Sequence, residues 1–516
     1  MNSVTAPSPA LTRGMTLLFA CACGIVIGNL YYSQPLLAAI AASFGRQPAE
    51  LGYLVTLTQL GYAASLLVVV PLGDVVNRHT LIVRLLVANV VALVAVASST
   101  RYGFFVAANM CVGFVTCSTQ LLVPFAASLA DDGARGRAIG TVMSGLLLGI
   151  LLARVASGAI ADWLGWRAVY AIAAAMVLLL AGVLAAKLPK DRRHARVDYA
   201  ALMQSLAALV RAQPLIALRC AYGALVFACF SLLWTGLTFL LSQPPYGYTE
   251  GRIGLFGIVG AVGALAAASA GRLVDRGHGN AATGLFAAAV LASFAAIAAG
   301  EQSLAALIVG ILVLDIGVQG LHISNQSVIY ALAGDARSRV TTIYLTSYFI
   351  GGALGSGAAG AAFGLDGWRG VCIAGAILSG SLVALWARRS ASARGRPRGS
   401  AAPPTRAADR ATMPRLENGF RPTRGTPPLH RVRRIRAMRL CHVVEHARWR
   451  GMQAARARRD AGRSRVRPHA DHADDRPQRA GGRVAHGQRQ AANKRSRATA
   501  PSDGDKSDGD KKARPA

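Results

Sequence analysis

The chain has 516 residues, with 56 Lys+Arg against 24 Asp+Glu and a net charge of +32, yet 53% of it is hydrophobic and only 16% charged. The charge is not spread as on a soluble basic protein. Residues 1–389 hold 24 basic and 13 acidic side chains in a very apolar text, and residues 390–516 hold 32 and 11. The first piece is too apolar for an ordinary soluble domain. The second, rich in Arg, Ala, Gly, Pro, Asp and His, is too polar to bury a core.

A bilayer-crossing helix needs about 20 mostly apolar residues. In chain order such runs fall at about 15–38, 51–72, 80–99, 102–129, 138–160 and 167–187. Six more follow at 215–241, 253–273, 281–299, 303–332, 341–363 and 368–387. The run from Met15 is longer than the apolar core of a secretion signal. The connection 188–214 is the longest between runs. It contains Lys190-Asp191-Arg192-Arg193-His194 and then an amphipathic stretch, Tyr199 to Val210. The expected fold is all-α and integral to the membrane, with twelve transmembrane helices. The expected boundaries are a short N-terminus (1–12), a six-helix bundle (13–188), a linker (189–214), a second six-helix bundle (215–389) and a basic disordered tail (390–516).

Lys and Arg in short loops mark the cytoplasmic side. One set of loops carries Arg78, Arg135, Arg137, Lys187, Lys190, Arg192, Arg193, Arg196, Arg272, Arg276, Arg337 and Arg339. The opposite set carries Arg46, Arg101, Arg167, Arg252 and Arg369. The richer set should face the cytoplasm, with both termini on that side. Eight cysteines and no C-x-x-C give no disulfide framework. A metal site is not expected either, the small tail cluster Cys441, His442 and His446 lacking a second ligand pair.

The two halves repeat. At a shift of 202 residues, Arg135-x-Arg137 falls on Arg337-x-Arg339, Gly149 on Gly351 and Gly158 on Gly360. Gly165-Trp166-Arg167 falls on Gly367-Trp368-Arg369. Each half begins on the same side, so the duplication is parallel. Two similar bundles can then rock about a site near the midplane.

These features, with Gly28-Asn29-Leu30-Tyr31-Tyr32-Ser33-Gln34-Pro35, Thr58-Gln59-Leu60-Gly61-Tyr62 and Ser324-Asn325-Gln326, resemble the major facilitator superfamily over about 12–389. Within it they resemble bacterial drug and small-molecule efflux carriers. The family's loop motif, G-x-x-x-D-R-x-G-R-R, is partly kept. Asp74 and Arg78 match after Gly73, with Val75 in place of its first Arg, and Gly271-x-x-x-Asp275-Arg276 matches in the second half. The resemblance implies a cytoplasmic gate built from Asp74, Arg78, Arg135, Arg137, Asp275, Arg276, Arg337 and Arg339. Two of the antiporter group's marks are missing. No Gly-Pro pair occurs between 138 and 160, and the expected helix-four Arg is Asn109.

Ionisable groups at membrane depth are functional candidates. Two stand out, Arg154 in the fifth run and Asp315 in the tenth. Asp315, Gln319, His322 and Gln326 follow i, i+4, i+7 and i+11 and share one helix face. Such a stripe suggests a wet wall, on which Asp315 could exchange a proton and His322 relay it. Arg154 has three readings: binding an anionic group, pairing with a buried acid, or snorkelling to the interface. Asn29, Tyr32, Gln34, Gln59, Tyr62, Gln120, Tyr344 and Tyr348 are candidate cavity walls for moderately apolar solutes.

Three readings of the tail compete: a segment binding nucleic acid or anionic lipid, a disordered spacer, and a frameshifted reading of GC-rich DNA. Arg outnumbers Lys in it 28 to 4, with no nucleic-acid motif. No G-x-S-x-G, metal spacing or ATP-binding P-loop occurs, so an enzyme and a primary pump are not expected. The expected function is proton-coupled efflux of small organic molecules across the bacterial inner membrane, with uptake by symport as the alternative. A membrane anchor presenting the basic tail is the rival of a different class. The partners implied are a small-molecule substrate, protons and the lipid bilayer. No cofactor, no nucleic acid and a monomer are expected.

Overall fold

The computed structural model describes residues 11–131, 133–189, 198–266, 279–333 and 336–394. Among these, ten helical segments are long and apolar enough to cross a membrane. The last, Arg337–Ser392, holds two spans. Its helix breaks at Asp366 and Gly367, and Gly367 has φ +53°. Glu250–Ala266 adds a further span, which ends at the border of the described residues. Within the described residues, each of the twelve runs read from the sequence is therefore mainly helical. The tail from 395 onward, Asp275, Arg276 and most of the basic loop after Lys187 lie outside the described residues.

The spans of the first half are Arg13–Ser43, Pro48–Leu72, Arg78–Ala97, Tyr102–Leu129, Arg135–Leu164 and Trp166–Lys187. Two of them are broken. The first unwinds at Asn29–Tyr32 between Arg13–Gly28 and Ser33–Ser43, and the fourth at Thr116–Cys117. A linker helix, Tyr199–Ala212, follows. The Asp198 side chain caps it by accepting from the N–H groups of Ala200 and Ala201. Its Tyr199 hydroxyl donates to the Val68 carbonyl, which ties the linker to the second span. The second half consists of Pro214–Leu241, Glu250–Ala266, Gly279–Ala298, Leu304–Ala333, 337–365 and 368–394.

Large apolar side chains face outward. Val91 is 64% exposed, Leu179 72% and Leu354 68%. In water such a belt would be an aggregation surface; in hydrocarbon it is the required exterior. Backbones approach closely at glycine. Gly149 lies against Gly24 and Gly351 against Ala224, so the fifth span packs on the first as the eleventh packs on the seventh. The Gly-Trp-Arg repeats also do equivalent work. Gly165 (φ +79°) and Gly367 make the turns, and each following Trp is buried. Trp166 Nε1 donates to Ser43 Oγ and Trp368 Nε1 to the Ile297 carbonyl.

The halves meet along two seams, the second span on the eleventh and the fifth on the eighth. Gly52 lies against Gly360, and Gly158 against Glu250 and Gly251. Ser356 Oγ donates to the Gly52 carbonyl at 3.0 Å and Thr56 Oγ1 to the Ala353 carbonyl at 2.9 Å. On the other seam, Asp162 accepts from Thr249 Oγ1 at 2.9 Å and from the Gly251 N–H at 3.0 Å. Among the described residues, hydrogen bonds between spans of opposite halves lie from mid-depth to the end remote from the Arg-rich loops. The bundle is shut at that end.

Candidate functional site

Arg154 and Asp315 come from different halves and lie at matching depth. Arg154 is ten residues from the end of its helix at Leu164, and Asp315 eleven from the start of its own at Leu304. At 1.5 Å per residue both are roughly 15 Å from the shut end. The fifth helix continues well past the apolar run read from the sequence, which places Arg154 deeper than expected. Its side chain turns inward and is 5% exposed, so it does not snorkel.

The guanidinium is boxed by aromatic rings. Its carbon lies 4.1 Å from the Trp234 ring centroid, 4.9 Å from Tyr31 and 5.6 Å from Phe230. Such cation–π contacts strengthen where water is excluded. Arg154 Nε donates to Gln34 Oε1 at 2.8 Å, and Gln34 in turn accepts at its backbone carbonyl from Thr238 Oγ1 of the opposite half. The unwound segment of the first span presents Tyr31 to this box, and the helix that follows it presents Gln34. A small cavity runs beside it, lined by Gln34, Pro35, Arg154, Trp234 and Thr238 among others.

Asp315 is buried on the other wall. Gly260 of the eighth span leaves the space that its carboxyl and the Trp234 indole occupy; a Cβ there would collide with both. No ion pair within 4 Å joins Asp315 to a cation among the described residues. Three buried polar atoms here make no hydrogen bond of full geometry: Arg154 Nη2, Trp234 Nε1 and Asp315 Oδ1, the Trp234 indole lying against the Asp315 carboxyl. A buried polar atom without a full hydrogen bond is costly, so a cluster of three is a feature to explain.

The rest of the stripe faces aromatic side chains. His322 Nδ1 and the Tyr344 hydroxyl share a hydrogen bond of 3.0 Å, and the imidazole lies 4.6 Å from the Tyr348 ring. Tyr348 stacks on Phe227 at 4.0 Å. Gln319 and Gln326 are half-buried on the same helix face. Gln59 Nε2 donates to Ser231 Oγ across the halves at 3.2 Å. Tyr62 packs edge-on against Phe349 and accepts from Gln120 Nε2 at 3.1 Å. Asn29 and Tyr32 sit apart from the box. Asn29 Nδ2 donates to Asn89 Oδ1, and Asn89 Nδ2 to Thr116 Oγ1, joining three spans of the first half. Tyr32 packs its ring against Gly28.

The basic loops have a local arrangement here. Asp74 and Arg78 pair at 2.7 Å, one helical turn apart, while Arg78 Nε donates to the Gly73 carbonyl. Arg135, Arg137 and Arg337 are exposed and Arg339 half-buried. Arg135 Nε donates to the Ala127 carbonyl. Asp275 and Arg276 cannot be placed, since they lie outside the described residues.

Two features were missed at the sequence level. Trp234, Tyr31 and Phe230 form the box, but aromatic residues inside apolar runs look like packing. Arg219 was legible as a charge within the seventh run and was passed over. It is buried, and its Nη1 donates to Thr283 Oγ1 at 2.7 Å and to Asn325 Oδ1 at 3.2 Å.

Comparison with known proteins agrees with this architecture. The family model of the Major Facilitator Superfamily matches residues 18–300 and 270–444. The transporter YgaY of Escherichia coli K12 is 43% identical over 385 residues, covering 75% of this chain and 98% of that protein. Transporter SCO4007 of Streptomyces coelicolor is 35% identical over 375 residues, covering 72% and 87%. The crystal structure of the nucleoside transporter NupG superposes with a TM-score of 0.60 at 14% identity, covering 72% of this chain and 99% of that one. The similarity to NupG is one of fold.

Proposed function

We propose, from the premise that this chain belongs to the Major Facilitator Superfamily and is a membrane transporter, that it moves small organic molecules across the bacterial inner membrane by proton-coupled alternating access. One observation carries this reading. A carboxyl, Asp315, is buried at membrane depth with no cation within ion-pair distance among the described residues, on the wall opposite Arg154. A group so placed can be neutral or charged according to whether it holds a proton, and each state favours a different arrangement of the halves. With the Arg-rich loops on the cytoplasmic side, the shut seams make this an inward-facing arrangement. Asp74 and Arg78 of the cytoplasmic loop then pair with each other.

Two directions of transport fit. Export by exchange is what the resemblance to efflux carriers implies, and it requires proton and substrate to displace one another. Import with a proton is favoured by Arg154, whose unpaired Nη2 could hold an acidic substrate group while Asp315 is protonated. The test is accumulation and efflux of a compound panel in cells making the wild type or Asp315→Asn, with and without a protonophore. Proton-coupled transport requires a flux that the protonophore collapses and that Asp315→Asn no longer ties to pH. Full pH-dependent transport by Asp315→Asn would exclude it.

A further inference from the structure

The three atoms of the box without a full hydrogen bond are two donors and one acceptor. Arg154 Nη2 and Trp234 Nε1 are donors, and Asp315 Oδ1 is the acceptor when ionised. The donors are backed by a fixed positive charge and by three aromatic rings. Gln34 holds Arg154 at Nε and leaves Nη2 of the guanidinium unbonded. A planar acid group is the chemistry that matches such a pair of donors, because a carboxylate can accept from Nη2 and from the indole N–H together. A neutral molecule would leave the buried cation uncompensated. An organic cation would meet Arg154 directly.

We infer that this box is the substrate's acid subsite and that the transporter takes a small aromatic organic anion, held by Arg154 and Trp234 while Asp315 is protonated. The inference rests on the proton-coupled reading above and narrows it to a substrate class. Its consequence is a sign: the proton and the anion bind together, because an ionised Asp315 repels the incoming acid and competes for Arg154. No other acid faces Asp315 among the described residues. Arg154 comes from the fifth span and Tyr348 from the eleventh. The seventh span offers Trp234 and the eighth Gly260. The ninth packs Phe286 and Val290 against Gly320 and Gly317 of the tenth. His322 is two turns along the same helix.

The test is ligand-induced thermal stabilisation of the purified full-length protein in detergent. The probes are benzoate and 2-naphthoate, each with its neutral amide and its amine counterpart, at pH 6 and pH 8. At least one acid should bind about tenfold more tightly than its amide, the range expected of a charge-assisted hydrogen bond, and should bind more tightly at pH 6. Arg154→Gln should erase the preference for acid over amide. Arg154→Lys, which keeps the charge, should retain it at lower affinity. Asp315→Asn should bind the acid more tightly than wild type at pH 8 and with no difference between the two pH values. Equal binding of acid and amide, tightest binding of the amine, or no binding by either acid overturns the inference, and the wild type alone can return each of these results. The coupling reading is tested separately by proton flux. A proton-coupled flux of a neutral or cationic compound would sink the substrate class and leave the coupling intact. Acid selectivity without proton flux would do the reverse.

Discussion

Replacing Gly52 by Ala tests whether the backbone seam sets the balance between the two arrangements of the halves. A Cβ on Gly52 would sit 2.8 Å from Gly360 Cα, 3.0 Å from its N and 3.2 Å from the Ser356 carbonyl. Comfortable carbon contacts are about 3.5–4.0 Å, so the second and eleventh spans would have to part by roughly 1 Å. The neighbours are backbone and cannot swing aside. Overpacking of this kind costs about 1–3 kcal/mol. It falls only on the arrangement in which the seam is shut, while the gain in helix propensity is common to both arrangements. At 1.4 kcal/mol per factor of ten, a 2 kcal/mol penalty shifts the equilibrium by about 30-fold toward the arrangement open at that end. The assay uses Thr238→Cys as reporter. Thr238 is 2% exposed and bonds across the halves to the Gln34 carbonyl, so it is sealed while the seam is shut. A membrane-impermeant maleimide added from outside should label Thr238→Cys at least tenfold faster with Gly52→Ala than without it. An unchanged or slower rate would refute the seam as the shut gate.

Other outcomes follow from the same geometry. Asn89→Ala removes both bonds of the Asn29–Asn89–Thr116 chain, so unfolding in detergent should ease by about 1–3 kcal/mol. Gly367→Ala meets open space but must hold φ +53° and ψ −140°, a region that only glycine adopts easily, so its cost of about 1–3 kcal/mol should be purely a backbone one, read as a fall in Tm with activity retained. A chain ended at Arg394 should transport at the rate of the full chain in proteoliposomes, because YgaY aligns over 98% of its own length with only 75% of this chain. Loss of transport on that truncation would show that the basic tail is needed.

The fold was legible because the bilayer imposes a length and a polarity that twelve runs satisfy. The repeat was legible because glycine and tryptophan at the turns and seams have no easy substitutes. The breaks at Asn29–Tyr32 and Thr116–Cys117 were not, since a run of apolar residues does not report where a helix unwinds. Arg154 and Asp315 stood out because charge inside an apolar run is rare. That they face one another across the halves could not be read, because periodicity gives a face but not the partner opposite. For Asn29 the polar side chain was visible and its direction was not; the structure turns it into the first bundle, onto Asn89. Arg219 carried the same signal as Arg154, a charge inside an apolar run, five residues from the helix start at Pro214.

The glycines that line the seams also bear on how fast the gate can work. Where Gly52 meets Gly360 and Gly158 meets Gly251, backbone lies on backbone, and only the neighbouring Ser356, Thr56, Thr249 and Asp162 side chains must find a rotamer before the halves close, or leave it before they part. Glycine has no rotamer freedom to lose. The shut state therefore gains its contact at little entropic cost and holds few local locks to be undone in sequence. Such a closure is suited to a carrier that repeats the same motion in every cycle.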